Sequence, residues 1–279
     1  MRAAALPRAN VWYHSGASTR RRSSVVSIGA HPMSAKPFPP FDPAREEAEL
    51  RAYLGDAYDH ARLMLYERQL QDELARIGDE QAFYRASEGY LYDLTAFAMT
   101  GTKQPYLREL VRAVPPGAHL LDWGCGIGSD GLALLEAGYR VAFADFANPS
   151  TRYLRWRLER RGLDAPVYDL DVDAIPGGYD LAYAFDVVEH VDDPFGLLRS
   201  LESRARLVLV NLLEPSDDYQ PLHRVLPLGR LVRHAAANGL RRYRVVAGRS
   251  HVVLYEPGRP GRLRAAAALT RGRIGRWAG

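Results

Sequence analysis

Short apolar runs and amphipathic stretches alternate through most of the second half of the chain. The runs lie at 120–122, 140–144, 167–170, 179–185, 206–211, 240–246 and 251–255, and each has strand length. Between them, Leu132, Leu134 and Leu135 predict a helix that starts near Ser129 and stops at Gly138. Further helices are predicted over 149–161, from Pro194, and over 228–238 with Gly239 behind it. Gly248 between the last two runs predicts a hairpin at the sheet edge. Strands alternating with helices read as α/β with a mostly parallel sheet.

The region before this is helical in pattern. Asp42 and Pro43 supply an N-cap and a first helical residue, with Glu46 and Glu47 in the first turn. Leu50, Tyr53, Leu54, Ala57, Ala61, Met64 and Leu65 recur at helical spacing, and the pattern runs to Ile77 with breaks at Gly55 and Gly78. A dense aromatic stretch follows: Phe83, Tyr84, Tyr90, Tyr92, Phe97 and Tyr106, with Lys103 and Gln104 among them. It reads either as a helix packing its rings on the main domain or as a lid that lines a pocket, since tyrosine pairs an apolar face with a polar tip. Pro115-Pro116-Gly117 ends the helix that begins near Pro105.

Composition adds less than its distribution. Apolar content of 47% and charged content of 25% are ordinary for a globular chain, and no apolar run is long enough for a membrane span. The single cysteine, Cys125, excludes a disulfide framework and suggests a reducing, cytoplasmic setting. The net charge of +4 is uneven: residues 1–40 and 257–279 each hold six basic residues and no acid. The remainder has 25 basic and 33 acidic residues, a net −8, so the basic pI belongs to the ends. Residues 1–40 read as a disordered tail or a misassigned start with translation from Met33, or as a transit peptide. Four regions result: that tail, a helical cap over 41–114, a main domain over 115–256 and a basic extension over 257–279. The arginines of 149–161 read as a solvated face.

The chemistry gathers at Asp122-Trp123-Gly124-Cys125-Gly126-Ile127-Gly128, a strand end running into a glycine turn and a helix start. Glycines let the backbone turn sharply and approach a ligand closely, and the helix start offers unpaired amides. Asp145 closes the second strand with a carboxylate that can accept two bonds from a ribose diol. Cys125 reads as a small residue that fits the turn, with a catalytic thiolate as the alternative.

These segments, in this order, resemble the class I S-adenosylmethionine-dependent methyltransferases over about residues 107–256. The resemblance implies a Rossmann-like, seven-stranded, mostly parallel sheet with an antiparallel C-terminal hairpin, helices on both faces and the N-terminal helices as a lid. It implies S-adenosylmethionine as cofactor, held by Asp122, Gly124, Cys125, Gly126 and Gly128 in the first motif. Asp145 with Phe146 falls at the ribose, Asp171 with Val172 at the adenine, and Phe185 with Asp186 at the methionine end.

Two histidines are candidates to take an acceptor's proton: His190, beside Glu189 after the fourth strand, and His223 after the fifth. Tyr90, Tyr92, Lys103, Tyr106 and Tyr219 are the candidate acceptor contacts. The reading carries no metal. Asp186, Glu189 and His190 form the one set that could hold a divalent cation, because their spacing resembles that of the quinone-pathway O-methyltransferases. Phe185-Asp186-Val187-Val188 stands where enzymes methylating base amino groups carry Asn/Asp-Pro-Pro-Tyr/Phe, and no nucleic-acid module is visible. The expectation is methyl transfer to a small-molecule hydroxyl of a phenol, quinol or sugar type. The alternative is a peptide, protein or nucleic acid docked by the basic tails. The oligomeric state is left open.

Overall fold

The structure is a computed structural model that describes residues 42–214 and 222–259, apart from the side chains of 67–69. The expectations for residues 1–40, for Tyr219 and for all but the first three residues of 257–279 lie outside the described residues.

The cap comprises α1 (Pro43–Leu54), α2 (His60–Met64), α3 (Tyr66–Ile77), α4 (Glu80–Ala86) and α5 (Tyr90–Thr100). Asp42, Asp59 and Asp79 cap the starts of α1, α2 and α4 by accepting backbone N–H bonds. Gly78 stops α3 in the left-handed conformation. α6 (Gln104–Ala113) then leads into β1 (His119–Trp123). The rest follows as α7 (Ser129–Glu136), β2 (Arg140–Asp145), α8 (Pro149–Arg161), β3 (Val167–Asp169), β4 (Tyr179–Ala184), α9 (Pro194–Glu202), β5 (Ala205–Leu213), α10 (Leu228–Ala237), β6 (Leu240–Val246) and β7 (Ser250–Tyr255).

The strands form one sheet in the order β3-β2-β1-β4-β5-β7-β6. The first five strands pair in parallel, and β7 pairs antiparallel with both β5 and β6. This is the seven-stranded Rossmann-like sheet that the sequence implies. Both faces of its parallel part are covered, so its strands are apolar over most of their length, with polar residues chiefly near the ends. Alternation along each strand divides the core into two layers. Leu121, Ala182, Val208 and Val210 pack with Leu198, Leu201 and Leu231 of α9 and α10. Leu120, Phe143, Leu181 and Leu209 pack on the other face with Leu107, Leu132, Leu154 and Leu158 of α6, α7 and α8.

A third cluster joins the cap to this frame. Leu50, Leu63, Leu91 and Tyr92 of the cap meet Ile127 and Tyr153. An ion cluster lies beside it. Arg157, fully buried, donates to Glu49 at 2.8 Å, Glu46 at 2.7 Å, the Ile127 carbonyl and Ser129 Oγ. Arg161 donates to Glu49 through two nitrogens. The solvated-face reading of 149–161 therefore fails at these two residues, because they share the inward face of α8 with Tyr153, Leu154 and Leu158. Arg152, Arg155 and Arg160 remain exposed.

Candidate active site

Parallel strands place their C-terminal ends on one side, where the loops that follow converge. After β1, Gly124, Gly126 and Gly128 all have φ between 52° and 71°, the left-handed region that favours glycine. The Gly124 and Cys125 amides donate to the Ala144 carbonyl at 2.8 and 3.3 Å, which ties the turn to the end of β2. There Asp145 accepts from the Gly126 amide and from the Phe146 amide, both at 2.7 Å. Burial raises its carboxyl above the usual range, and these two bonds counteract the shift.

A cavity of about 1200 Å³ opens over this turn. Gly124, Cys125, Gly126, Asp145 and Phe146 line one part of it, and Phe185, Asp186, Glu189, His190 and His223 line another. From the cap side it receives Tyr84, Tyr90, Lys103 and Tyr106. Burial pushes the Cys125 thiol up, so the residue carries no thiolate.

Five sequence-predicted residues stand elsewhere. Tyr92 is a core residue of the cap: its hydroxyl accepts from the Asp59 amide and donates to the Ala57 carbonyl. Asp122 is buried beneath the turn, where burial and then Asp130 push its carboxyl up to about 8. A Cβ on Gly128 would lie 2.3 Å from a Leu154 methyl, so this glycine serves packing against α8. Asp171 is exposed and paired with Arg85 at 2.8 Å, and Val172 is 78% exposed. None of the five lines the cavity.

The end of β4 is built more tightly. Asp186 has φ 55°, an uncommon conformation for a residue with a Cβ. Asn211 holds it there from β5, accepting from the Asp186 amide at 2.7 Å and donating to its carboxylate at 2.6 Å. Lys103 Nζ donates to the Phe185 carbonyl at 3.2 Å and lies 3.5 Å from Asp130 and 4.0 Å from Asp186. Burial alone would favour the neutral amine, but Asp130 and Asp186 outweigh it and keep Lys103 charged.

Next to it sit three proton-holding groups. Glu189 is buried, and neither of its carboxylate oxygens has a partner among the described residues. Burial, then the Asp186 charge, pushes its carboxyl up to about 8. His190 Nδ1 lies 2.9 Å from both the Leu222 carbonyl and the Tyr84 hydroxyl. A carbonyl only accepts, so the assignment that satisfies both contacts puts the hydrogen on Nδ1 and leaves the Nε2 lone pair free. Burial, then His223, drives the His190 pKa down to about 3. His223 packs edge-on at 4.7 Å between ring centroids, and burial lowers its pKa as well. Both imidazoles are therefore neutral near pH 7.

Glu189, His190 and His223 bring one donor atom each within 4.8 Å of one another. Among the described residues these three converge closely enough to hold a divalent cation; they share Glu189 and His190 with the set expected from spacing and bring His223 where that set has Asp186. Asp186 Oδ1 accepts from Asn211, and its Oδ2 lies 4.0 Å from Lys103 Nζ.

Sequence reasoning missed Tyr84, Asn211 and the pairing of Arg224 with Glu80 at 3.0 and 3.1 Å. Tyr84 was visible only as one ring of the aromatic stretch, beside a Phe83 that is wholly buried.

Residues 121–206 match the family model for a methyltransferase domain. A 95-residue stretch is 37% identical to the cypemycin N-terminal methyltransferase of a Streptomyces species, over 33% of this chain and 35% of that protein. Another 95-residue match is 30% identical to a ubiquinone biosynthesis O-methyltransferase of Bordetella pertussis, over 32% of this chain and 39% of that protein. The matches thus span little more than a third of either relative. The structure also resembles magnesium protoporphyrin IX methyltransferase from Synechocystis PCC 6803 with bound SAH. That likeness has a TM-score of 0.51 at 15% identity, over 76% of this chain and all of the other, and it speaks to the fold. Among the described residues no helix is long and apolar enough to cross a membrane.

Proposed function

We propose, from the premise that this chain carries a class I S-adenosylmethionine-dependent methyltransferase domain, that it methylates a hydroxyl of a small molecule. The observation that carries the reading is one cavity lined by both the glycine turn with Asp145 and the Glu189, His190 and His223 group. S-adenosylmethionine supplies a methyl group on a sulfonium, already activated for displacement.

The chain's part is alignment and proton removal. Asp145 would accept from the ribose diol, and the left-handed glycines let the backbone approach without a Cβ between. Phe185 and Asp186 would face the methionine end, with Lys103 as a cation for its carboxylate. Tyr90 and Tyr106 would line the acceptor. His223 would take the hydroxyl proton on its lone pair as the acceptor oxygen receives the methyl group. His190 would support that role through its free Nε2.

Asp145→Ala is expected to weaken affinity for S-adenosylhomocysteine by about 1–3 kcal/mol, the worth of the lost charge-assisted bonds. Unchanged affinity in titration calorimetry would place the ribose elsewhere.

The rival acceptor is a peptide, protein or nucleic acid. One relative's name points to a peptide terminus. Transfer of label from methyl-tritiated S-adenosylmethionine to a panel of phenols, quinols and sugars, run beside short peptides, separates the two. The expected result is labelled small-molecule ether. Label confined to peptide amines would make the acceptor a peptide.

A further inference from the structure

An adenine needs a flat apolar face to stack on and an acceptor for its amino group. Beside the Asp145 carboxylate, the Phe146 ring and the Asp171 carboxylate offer these two features. Both are already engaged by one side chain. The Arg85 guanidinium lies 4.1 Å over the Phe146 ring centroid and donates to Asp171 at 2.8 Å.

Arg85 belongs to α4, a seven-residue helix that touches the loops after β2, β3, β4 and β5. The Asn148 side chain donates to the Tyr84 carbonyl at 3.1 Å, Arg85 holds Asp171, Tyr84 meets His190, and Glu80 pairs with Arg224. The Arg85 contacts are polar and partly exposed, whereas Phe83 anchors the helix in the core: the Arg85 and Asp171 side chains keep 38% and 45% of their surface in solvent. Such contacts break at small cost.

We propose that Arg85 is the gate of the cofactor's adenine end, its side chain swinging off Phe146 and Asp171 to admit the cofactor. This rests on the methyltransferase reading above. Entry waits for the ion pair and the stacking contact to open, which slows association by about one order of magnitude for contacts of this strength.

The test is stopped-flow association of S-adenosylhomocysteine with the full chain, followed by the fluorescence of Trp123, which lines the cavity. Arg85→Ala is expected to raise the association rate constant about tenfold, and Arg85→Lys less, because lysine keeps the charge but lacks the planar face. Added salt should accelerate association in the parent protein and not in Arg85→Ala. Two outcomes overturn the gate while S-adenosylhomocysteine still binds. In one, rates stay within twofold of the parent. In the other, dissociation quickens with no gain in association, which makes Arg85 a clamp on bound adenine. Absence of binding in the parent and both variants overturns the cofactor reading itself, and the gate with it.

Discussion

Replacing Arg157 with alanine is expected to destabilise the protein by about 3 kcal/mol, read as a lower denaturant midpoint at unchanged slope. The expectation comes from burial without exit. Arg157 has no exposed surface, and Glu46 and Glu49 close on it from α1 at 2.7 and 2.8 Å. Removing the guanidinium leaves two carboxylates in a cleft walled by Tyr153 and the turn at Ile127. A buried pair that loses one partner costs about 3–5 kcal/mol because the other charge stays desolvated. The low end applies here, since Arg161 at 2.7 Å and Arg45 at 3.4 Å still face Glu49. The pH dependence has a defined sign. Burial would raise Glu49, but Arg161 and Arg157 outweigh it and hold its carboxyl below the usual range. A depressed folded pKa gives stability that is present above the unfolded value and lost as pH falls through the folded one. Acid sensitivity as pH falls below the ordinary 4.5 should therefore shrink in Arg157→Ala. Denaturation at pH 7 and pH 4 checks both points. A loss under about 1 kcal/mol would mean that the apolar cluster alone holds the cap.

His223→Ala is expected to slow turnover by about 10²–10⁴, the usual worth of a positioned general base. The residue lines the cavity, packs on His190 and keeps a neutral ring near pH 7. Its lowered pKa arises chiefly from burial, with Asp186 opposing and Arg249 reinforcing the shift. A base acts through its lone pair, so the rate should fall as pH drops through a value below the ordinary 6.5. That acidic limb should vanish in the variant while affinity for S-adenosylhomocysteine holds. A change confined to acceptor KM would make His223 a pocket wall, and a persisting acidic limb would show that another group is the base.

The strands, the glycine turn and Asp145 were legible because they are local. Apolar runs, positive-φ glycines and a strand-end carboxylate declare themselves within a few residues. The cap's contribution was not legible in this way. Tyr84 meets His190 across 106 positions, and Arg157 meets Glu49 across 108. Spacing along one helix carries no trace of such partners. One signal was present and underread: Arg157 and Arg161 follow Tyr153 and Leu154 at helical intervals, on the face that must be buried. Asp171 shows the opposite case. Its spacing marked it as an adenine contact, but only the structure shows Arg85 holding it. Tyr92 shared the aromatic stretch with Tyr90, yet a step of two residues turns it away from the cavity and into the cap core.

Calorimetric titration of the purified chain with S-adenosylmethionine and then S-adenosylhomocysteine asks whether the cavity over the glycine turn holds this cofactor. One site per chain with micromolar affinity for both, weakened in Asp145→Ala, is the expected result. Failure of both to bind, or equal binding in Asp145→Ala, would mean that the cavity does not hold it.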